Sequence, residues 1–321
     1  MVAIPGPSIM PDRVLAAMAT PMPDLYAGDI LDVSAEVVAA LPGIARTSGD
    51  AFIVTANGHG AWEMAITNTL SRGDKILALE SGRFALIWGQ YASISGVVPE
   101  ELPGHQRRAV DPAALEARLR ADGGREIKAI LVVQTDTATS VRNDIPALRA
   151  AIDAADHPAL LMVDCIASMG CDRFEMDAWG VDVMVTGCQK GLMVPAGMSF
   201  VFFNDKAAAV RARMPRVSRY WDWTPRSEPD LFMRYWNGTA PTHHVYGLRQ
   251  ALDMIHAEGI EAIWRRHEVL ARAIWAACEA WSTKGSFAMN VAEPAHRSHA
   301  VTALRLESPQ ATALRDWTEQ E

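Results

Sequence analysis

The segment Val181-Asp-Val-Met-Val-Thr-Gly-Cys-Gln-Lys190-Gly-Leu-Met-Val-Pro-Ala-Gly197 decides the fold, because it joins an apolar strand to a glycine-bounded turn that carries one lysine. Upstream, Ala159-Leu-Leu-Met-Val-Asp164 is a second apolar strand, and it ends on a carboxylate. The 26 residues from Asp164 to Lys190 are enough for a crossover to an adjacent parallel strand. We therefore expect both side chains at the same edge of a sheet.

Around this pair, apolar strands alternate with amphipathic helices. The predicted strands are 52–55, 75–79, 129–133, 159–164, 181–186 and 199–203, and the predicted helices include 12–19, 33–41, 111–121 and 145–155. This alternation predicts an α/β domain with a mainly parallel sheet. Ligands of such sheets bind at the carboxyl ends of the strands, where several polar side chains of this chain are expected to lie.

The later part of the chain has a different character. Residues 214–245 are rich in Arg, Trp, Tyr and Pro and are predicted to form a long loop region over the site or at a subunit contact. We then predict one helical run over 246–283, a strand over 300–306 and a helix from 310 to 321. The expected domains are an N-terminal arm with the start of the large domain (1–45), a large α/β domain (46–255) and a partial small domain (256–321).

Composition narrows the class of protein. The chain has 321 residues, of which 50% are hydrophobic and 21% charged, values that are typical of a globular protein. A net charge of −8 argues against nucleic acid or an anionic membrane as partner. The four cysteines form no C-x-x-C pair, which favours a reduced protein without a disulfide framework or metal site. No signal peptide and no apolar stretch of about 20 residues is evident, so a cytoplasmic location is expected.

Lys190 is the one lysine of five that lies between apolar and glycine-rich segments. Burial lowers the pKa of a lysine and makes its amine a nucleophile toward an aldehyde. Asp164 could keep a pyridine nitrogen protonated, so that the ring accepts electrons. Together they predict pyridoxal 5'-phosphate as cofactor. Taken singly, each has an ordinary alternative, a turn lysine and a capping aspartate.

Further candidates follow the other strands. The run Asn57-Gly58-His59-Gly60 opens a helix directly after a strand, a geometry that favours an anion such as a phosphate. Phe84 follows the next strand and could stack on a flat ring, or simply belong to the core. Thr137 and Thr139 follow the strand after that, where their hydroxyls could reach the cofactor or Gln189, or could cap a turn.

These segments resemble the class V aminotransferases, in particular the alanine–glyoxylate and serine–glyoxylate group. The matching segments are Pro5-Gly-Pro-Ser8, Asn57-Gly-His59 with Glu63, Gly82-Arg-Phe84, Asp136-Thr-Ala-Thr139, Val163-Asp-Cys-Ile-Ala-Ser-Met-Gly170, Gly187-Cys-Gln-Lys-Gly-Leu192 and Pro195-Ala-Gly197. The resemblance implies the aspartate aminotransferase-like fold (fold type I), pyridoxal 5'-phosphate and a homodimer with a shared active site. It also implies transfer of an amino group from a small amino acid to an oxo acid, with glyoxylate as the expected acceptor.

The resemblance also assigns roles by position. Cofactor binding carries over to Lys190 as the Schiff-base lysine, Asp164 at the pyridine nitrogen, Phe84 over the ring, Thr137 and Gln189 beside it, and Asn57, Gly58 and His59 at the phosphate. Thr239 matches a threonine that the other subunit donates to the phosphate, and Trp236 stands where relatives often carry a tyrosine. Gly6 and Tyr26 are predicted walls of the substrate site.

Other readings stay open. Cysteine desulfurases of this superfamily carry a histidine before the lysine and another over the ring, whereas Gln189 and Phe84 stand there and favour transamination. A kynureninase-like hydrolase and an inactive homologue that serves as a binding subunit remain alternatives. A nucleotide-binding enzyme is disfavoured, since the chain lacks G-x-x-x-x-G-K-[ST]. Members of the resembled group continue further and carry an arginine for the substrate carboxylate. No arginine after Arg297 stands in a matching motif, so a truncated chain with weak cofactor binding is expected.

Overall fold

The computed structural model describes residues 4–227, 232–283, 285, 287–307 and 309–320, so Lys284 and Glu321 lie outside the described residues. Within them, one sheet has seven strands in the order β1-β7-β6-β5-β4-β2-β3. Its strands are β1 Asp50–Val54, β2 Lys75–Leu79, β3 Val98–Leu102, β4 Ile127–Val133, β5 Leu160–Asp164, β6 Val183–Gly187 and β7 Ser199–Phe203.

The sheet is mainly parallel, as the alternation of strands and helices predicts. Strand β7 is antiparallel to both of its neighbours, β1 and β6, while the remaining pairs are parallel. Strands β5 and β6 are adjacent and parallel, with Asp164 opposite Val185. The crossover expected between Asp164 and Lys190 is therefore confirmed, because Asp164 ends β5 and Lys190 follows β6 at the same edge of the sheet.

Helices cover both faces of the sheet. Their bounds are α1 Asp12–Met18, α2 Ile30–Ala45, α3 Gly58–Thr69, α4 Arg83–Ile94, α5 Pro112–Ala121, α6 Ile145–Ala154, α7 Asp205–Ala212, α8 Thr224–Ser227, α9 Phe232–Trp236, α10 Thr242–Glu258, α11 Ile260–Ser282 and α12 Gln310–Gln320. One apolar core lies between the sheet and α2, α5, α6 and α10. A second core lies on the other face, where α3 and α4 bury Trp62, Met64 and Trp88.

Several expectations about secondary structure are wrong in detail. The single helix predicted over 246–283 is two helices, α10 and α11, which are separated at Gly259. The predicted loop region 214–245 contains the short helices α8 and α9. Strand β3 was not predicted, and the strand expected over 300–306 is only Leu304–Leu306 (β9), which pairs with Phe287–Met289 (β8).

None of the helices in the described part of the chain combines the length and the apolar character that a membrane-spanning helix needs. The division of the chain at 45 and 255 stays a prediction.

Candidate functional site

A cavity of about 290 Å³ lies at the carboxyl ends of the strands. Most of the candidate residues border it, namely Gly6, Asn57, Gly58, His59, Phe84, Thr137, Asp164, Gln189 and Lys190. The structure thus brings together residues that are up to 184 positions apart in the chain. The volume is close to the lower limit of about 300 Å³ for small-molecule sites.

Asp164 is the last residue of β5 and is only 3% exposed. Its Oδ1 accepts a hydrogen bond from the Ile166 amide over 2.6 Å, and its Oδ2 accepts one from Trp62 Nε1 over 2.9 Å. Burial raises the pKa of the Asp164 carboxyl to about 7, although the two hydrogen bonds act in the opposite direction. Its charge state can therefore respond to whatever group comes to lie beside it.

Lys190 lies in the turn after β6 and is half-buried. Burial lowers the pKa of its amine, whereas the nearby Asp164 carboxylate raises it. The amine donates a hydrogen bond to the Pro5 carbonyl, so the N-terminal arm (residues 4–9) lies directly against it. Ser8 fixes that arm, since its amide donates to the Gln189 carbonyl over 2.9 Å and its hydroxyl donates to the Lys190 carbonyl over 2.8 Å.

Gly6 is the point of closest approach between the arm and the lysine. Its φ of +124° lies in the region that favours glycine. A Cβ atom at this position would lie 2.5 to 2.7 Å from Nζ, Cδ and Cε of Lys190. The arm can therefore reach the lysine only with glycine here.

The turns after β5 and β6 contact each other through their main chains. Gly170 has a φ of +79°, and a Cβ on it would lie 3.3 Å from the carbonyl oxygen of Gly191. A Cβ on Gly191 would in turn overlap the Met169 carbonyl oxygen and lie 3.3 Å from Gly170 Cα. The main chain that follows Asp164 therefore lies directly against the main chain that follows Lys190.

Helix α3 presents its N-terminus to the cavity. The Asn57 side chain caps the helix by accepting from the His59 amide over 3.1 Å. The His59 ring stacks on Tyr91, with 5.3 Å between centroids, and meets the edge of Trp62 at 4.7 Å. Burial lowers the pKa of His59, which favours a neutral ring. The helix N-terminus, rather than a charged imidazole, is therefore the feature that suits an anion.

Phe84 and Gln189 complete the wall. The Phe84 amide donates to Asp136 Oδ2 over 2.7 Å, which holds the first turn of α4 at the rim of the cavity. Gln189 Oε1 is buried and accepts no hydrogen bond from the part of the chain that the structure describes. A buried acceptor without a donor is costly, so a ligand with a donor group fits beside it.

Three candidate residues lie elsewhere. Trp236 is 1% exposed and belongs to the core, and Thr239 is exposed; neither borders the cavity of its own chain. Tyr26 is 84% exposed, and its amide donates to Asp24 Oδ1 over 2.7 Å. The roles assigned to these three residues stay predictions.

The sequence reasoning missed two features of the site. Trp62 is not among the predicted site residues, yet its indole contacts Asp164. In addition, a second cavity of about 610 Å³ opens on the other side of Lys190. Arg13, Glu258 and Arg266 border it, and Arg266 donates to Glu258 over 2.7 and 3.0 Å.

Comparison with known proteins shows what the chain is similar to in sequence and in fold. The sequence model of the family described as Aminotransferase class-V matches residues 25–315. The serine–glyoxylate aminotransferase of Methylorubrum extorquens is 39% identical over 290 residues, which cover 88% of this chain and 71% of that protein. The L-aspartate–glyoxylate aminotransferase of Paracoccus denitrificans is 37% identical over 311 residues, 94% of this chain and 76% of the relative. Among solved structures, the alanine–glyoxylate aminotransferase of Nostoc sp. superposes with a TM-score of 0.84 at 25% identity, over 98% of this chain and 83% of that chain.

Proposed function

Since the chain belongs to the class V aminotransferase family, we propose that it is a pyridoxal 5'-phosphate-dependent transaminase with glyoxylate as amino acceptor. The observation that carries the proposal is the placement of Lys190 and Asp164 on one cavity at the carboxyl edge of a parallel sheet. Relatives that are named serine–glyoxylate and L-aspartate–glyoxylate aminotransferase support the acceptor and leave the donor to experiment.

The residues present fit this cofactor. A buried carboxylate suits a protonated ring nitrogen, and Asp164 is such a carboxylate. Gln189 supplies a buried acceptor without a partner in the described chain. The N-terminus of α3, with Asn57, Gly58 and His59, suits the phosphate, and Phe84 is available to cover the ring. We assign Thr137 to the same wall of the site.

When bound, pyridoxal 5'-phosphate supplies an aldehyde for covalent attachment and a ring that withdraws electrons from the substrate Cα. Lys190 is the residue that attaches it. Because burial lowers the pKa of Lys190, a larger fraction of its amine is unprotonated near neutral pH than for a surface lysine. The amine, once free, takes a proton from the substrate Cα and later returns one.

The larger cavity on the other side of Lys190 gives the substrates a place to bind. It is bordered by the arm, by α10 and by α11, and it has room for a small amino acid or oxo acid. Gly6 borders both cavities and therefore lies between cofactor and substrate. The described residues on this border include the ion pair of Arg266 with Glu258 and also Arg13, whose positive charge favours a carboxylate substrate.

A panel of amino donors tests the function. Serine, alanine, aspartate and a ureido amino acid are each offered with glyoxylate or pyruvate, and the amino acid product is measured. We expect glycine from glyoxylate with at least one donor. Protein that binds the cofactor but releases sulfide from cysteine, or cleaves kynurenine, without transamination would favour the desulfurase-like or hydrolase-like alternative. Protein that does not bind the cofactor would favour the inactive homologue.

We also propose that the protein is a cytoplasmic homodimer in which Thr239 of one subunit reaches the phosphate of the other. The exposed position of Thr239, outside its own chain's cavity, supports this arrangement. Mixing a Lys190→Ala subunit with a Thr239→Ala subunit tests it. In the heterodimer, one site then has an intact Lys190 from one subunit and an intact Thr239 from the other. Activity should reappear on mixing at limiting cofactor. The double variant mixed with itself is the control, and a mixture that stays as inactive as its parents would exclude a shared site.

A further inference from the structure

The Asp164 carboxylate is contacted by a tryptophan from the neighbouring helix. Trp62 Nε1 donates to Asp164 Oδ2 over 2.9 Å, while the Ile166 amide donates to Oδ1 over 2.6 Å. Trp62 is 1% exposed, and Asp164 is 3% exposed. An indole N–H can donate but never accept a hydrogen bond. It therefore stabilises the ionised carboxylate more than the protonated carboxyl group.

The indole is held in place by other rings. Trp62 stacks on Trp88 with 5.8 Å between centroids and an angle of 13°. Its edge contacts involve His59 at 4.7 Å and Tyr91 at 5.7 Å. Because these rings come from both α3 and α4, Trp62 cannot turn away from Asp164 without repacking this core.

We propose that Trp62 is a positioning residue that keeps the Asp164 carboxylate ionised and oriented toward the ring nitrogen of the cofactor. The inference rests on the proposed function. Burial by itself favours the protonated carboxyl, which would offer a proton to the ring nitrogen instead of accepting one. The Ile166 amide orients one carboxylate oxygen, and the indole orients the other and offsets part of the cost of burial.

Other charged or titratable groups also face Asp164. The Asp136 carboxylate after β4 raises the pKa of Asp164, and the Lys190 amine after β6 lowers it. Cys165 is the next residue in the chain, and burial raises its pKa well above the ordinary value. His59 lies behind the indole. Since all of them are retained when only a tryptophan is changed, a pair of tryptophan variants isolates the contribution of the indole.

The test compares Trp62→Phe with Trp88→Phe. Each variant keeps an aromatic ring in the same core, but Trp88 Nε1 is buried without a hydrogen-bond partner in the part of the chain that the structure describes. Only Trp62→Phe therefore removes a donor from Asp164. The dissociation constant of pyridoxal 5'-phosphate is measured between pH 5 and pH 9 for both variants and the wild type.

Removing the donor raises the pKa of Asp164, and cofactor binding needs the ionised form. On acidification, the Trp62→Phe variant should therefore lose cofactor binding at a pH about one unit higher than the wild type does. Its dissociation constant near pH 6 should rise about tenfold, because about a tenth as much of the carboxyl is then ionised as in the wild type. Trp88→Phe should keep the wild-type pH dependence and change the constant by less than about threefold. Equal behaviour of the two variants would overturn the inference.

A second measurement needs neither variant. In cofactor-free wild-type protein with ¹⁵N-labelled tryptophan, one indole N–H resonance should shift as Asp164 titrates, with a midpoint near its pKa of about 7. The shift should vanish in Asp164→Asn. A wild-type spectrum in which no indole resonance titrates would overturn the inference. Since no cofactor is present, this result is distinct from failure of the proposed function, which wild-type protein unable to bind the cofactor would reveal.

Discussion

The Asp164 end of the cavity is held by the interior of the protein, whereas the Lys190 end is held by a surface segment. Asp164 closes a fully buried strand and accepts hydrogen bonds from Trp62 and Ile166. Lys190 lies in a turn, and its amine is bonded to Pro5 of the exposed N-terminal arm. The carboxylate is thus held by two hydrogen bonds inside the core, whereas the amine is held by one hydrogen bond to an exposed segment, which can open at a lower cost in free energy.

Removing the Lys190 amine should have the largest effect. Lys190→Ala should lower kcat/KM of transamination by roughly 10³-fold or more, because both covalent attachment and proton transfer depend on this amine. Cofactor should also be lost on gel filtration. Lys128→Ala is the matched control, since Lys128 is exposed and its amine donates to the Arg125 carbonyl away from the site, and its rate should match the wild type. A Lys190→Ala enzyme of near-normal rate would remove the basis of the comparison.

Neutralising Asp164 should have the second-largest effect on the rate. Asp164→Asn should lower kcat/KM by about 10²-fold, since a buried charge is replaced by a group that cannot keep a ring nitrogen protonated. Asp182→Asn serves as control. Asp182 is also buried, but it precedes β6 at the opposite edge of the sheet, where it accepts from Lys206 over 3.0 Å. We expect Asp182→Asn to lose stability while kcat of the folded enzyme stays within about threefold; equal losses of kcat would contradict a special role for Asp164.

The same substitution should alter stability in a pH-dependent way. The pKa of Asp164 is raised from 3.8 to about 7 in the fold, so its contribution to stability is complete below pH 3.8 and is lost as the pH rises through 7. Between pH 5 and pH 8 the cofactor-free wild type should lose roughly 2–3 kcal/mol through this group. Asp164→Asn cannot titrate and should not show that loss. Denaturant unfolding at the two pH values checks this, and parallel pH profiles would disprove it.

The smallest effect should come from the arm. Gly6→Ala places a Cβ within 2.5 Å of the Lys190 amine at a φ of +124°, which should displace the arm and lower kcat about tenfold. The unfolding free energy should change by less than about 1 kcal/mol, because the arm residues are largely exposed. Gly43→Ala is the control, since a Cβ there meets nothing within 4 Å. An unchanged kcat would mean that the arm does not support the lysine.

The pairing of Asp164 with Lys190 could be predicted from sequence for a simple reason. Two apolar strands that a crossover joins must run parallel, so their terminal residues share an edge. The contact of Trp62 with Asp164 could not be predicted in this way. Helical periodicity turns Trp62 toward the core but does not say which of many buried groups, here one 102 positions away, its N–H will meet.

The errors in secondary structure also have physical causes. Strand β3 contains Pro99, Glu100 and Glu101 and lies at the edge of the sheet, so it lacks the continuous apolar character of the central strands. The break between α10 and α11 was overlooked because apolar residues recur at helical spacing on both sides of Gly259. The positions of loop residues are harder still to predict, because the periodicity of a single strand or helix does not determine them. Thr239 and Tyr26, which were predicted to line the site, lie outside the cavity of their own chain.

The main-chain contact between Gly170 and Gly191 sets a limit on how this scaffold can be redesigned. Because the main chains of the two turns touch there, substitutions of the surrounding side chains leave the turns in contact. A side chain at either glycine would instead push the turns apart, so both positions have to stay glycine in any redesign. New substrate preferences will therefore have to come from the arm and from the wall formed by α10 and α11.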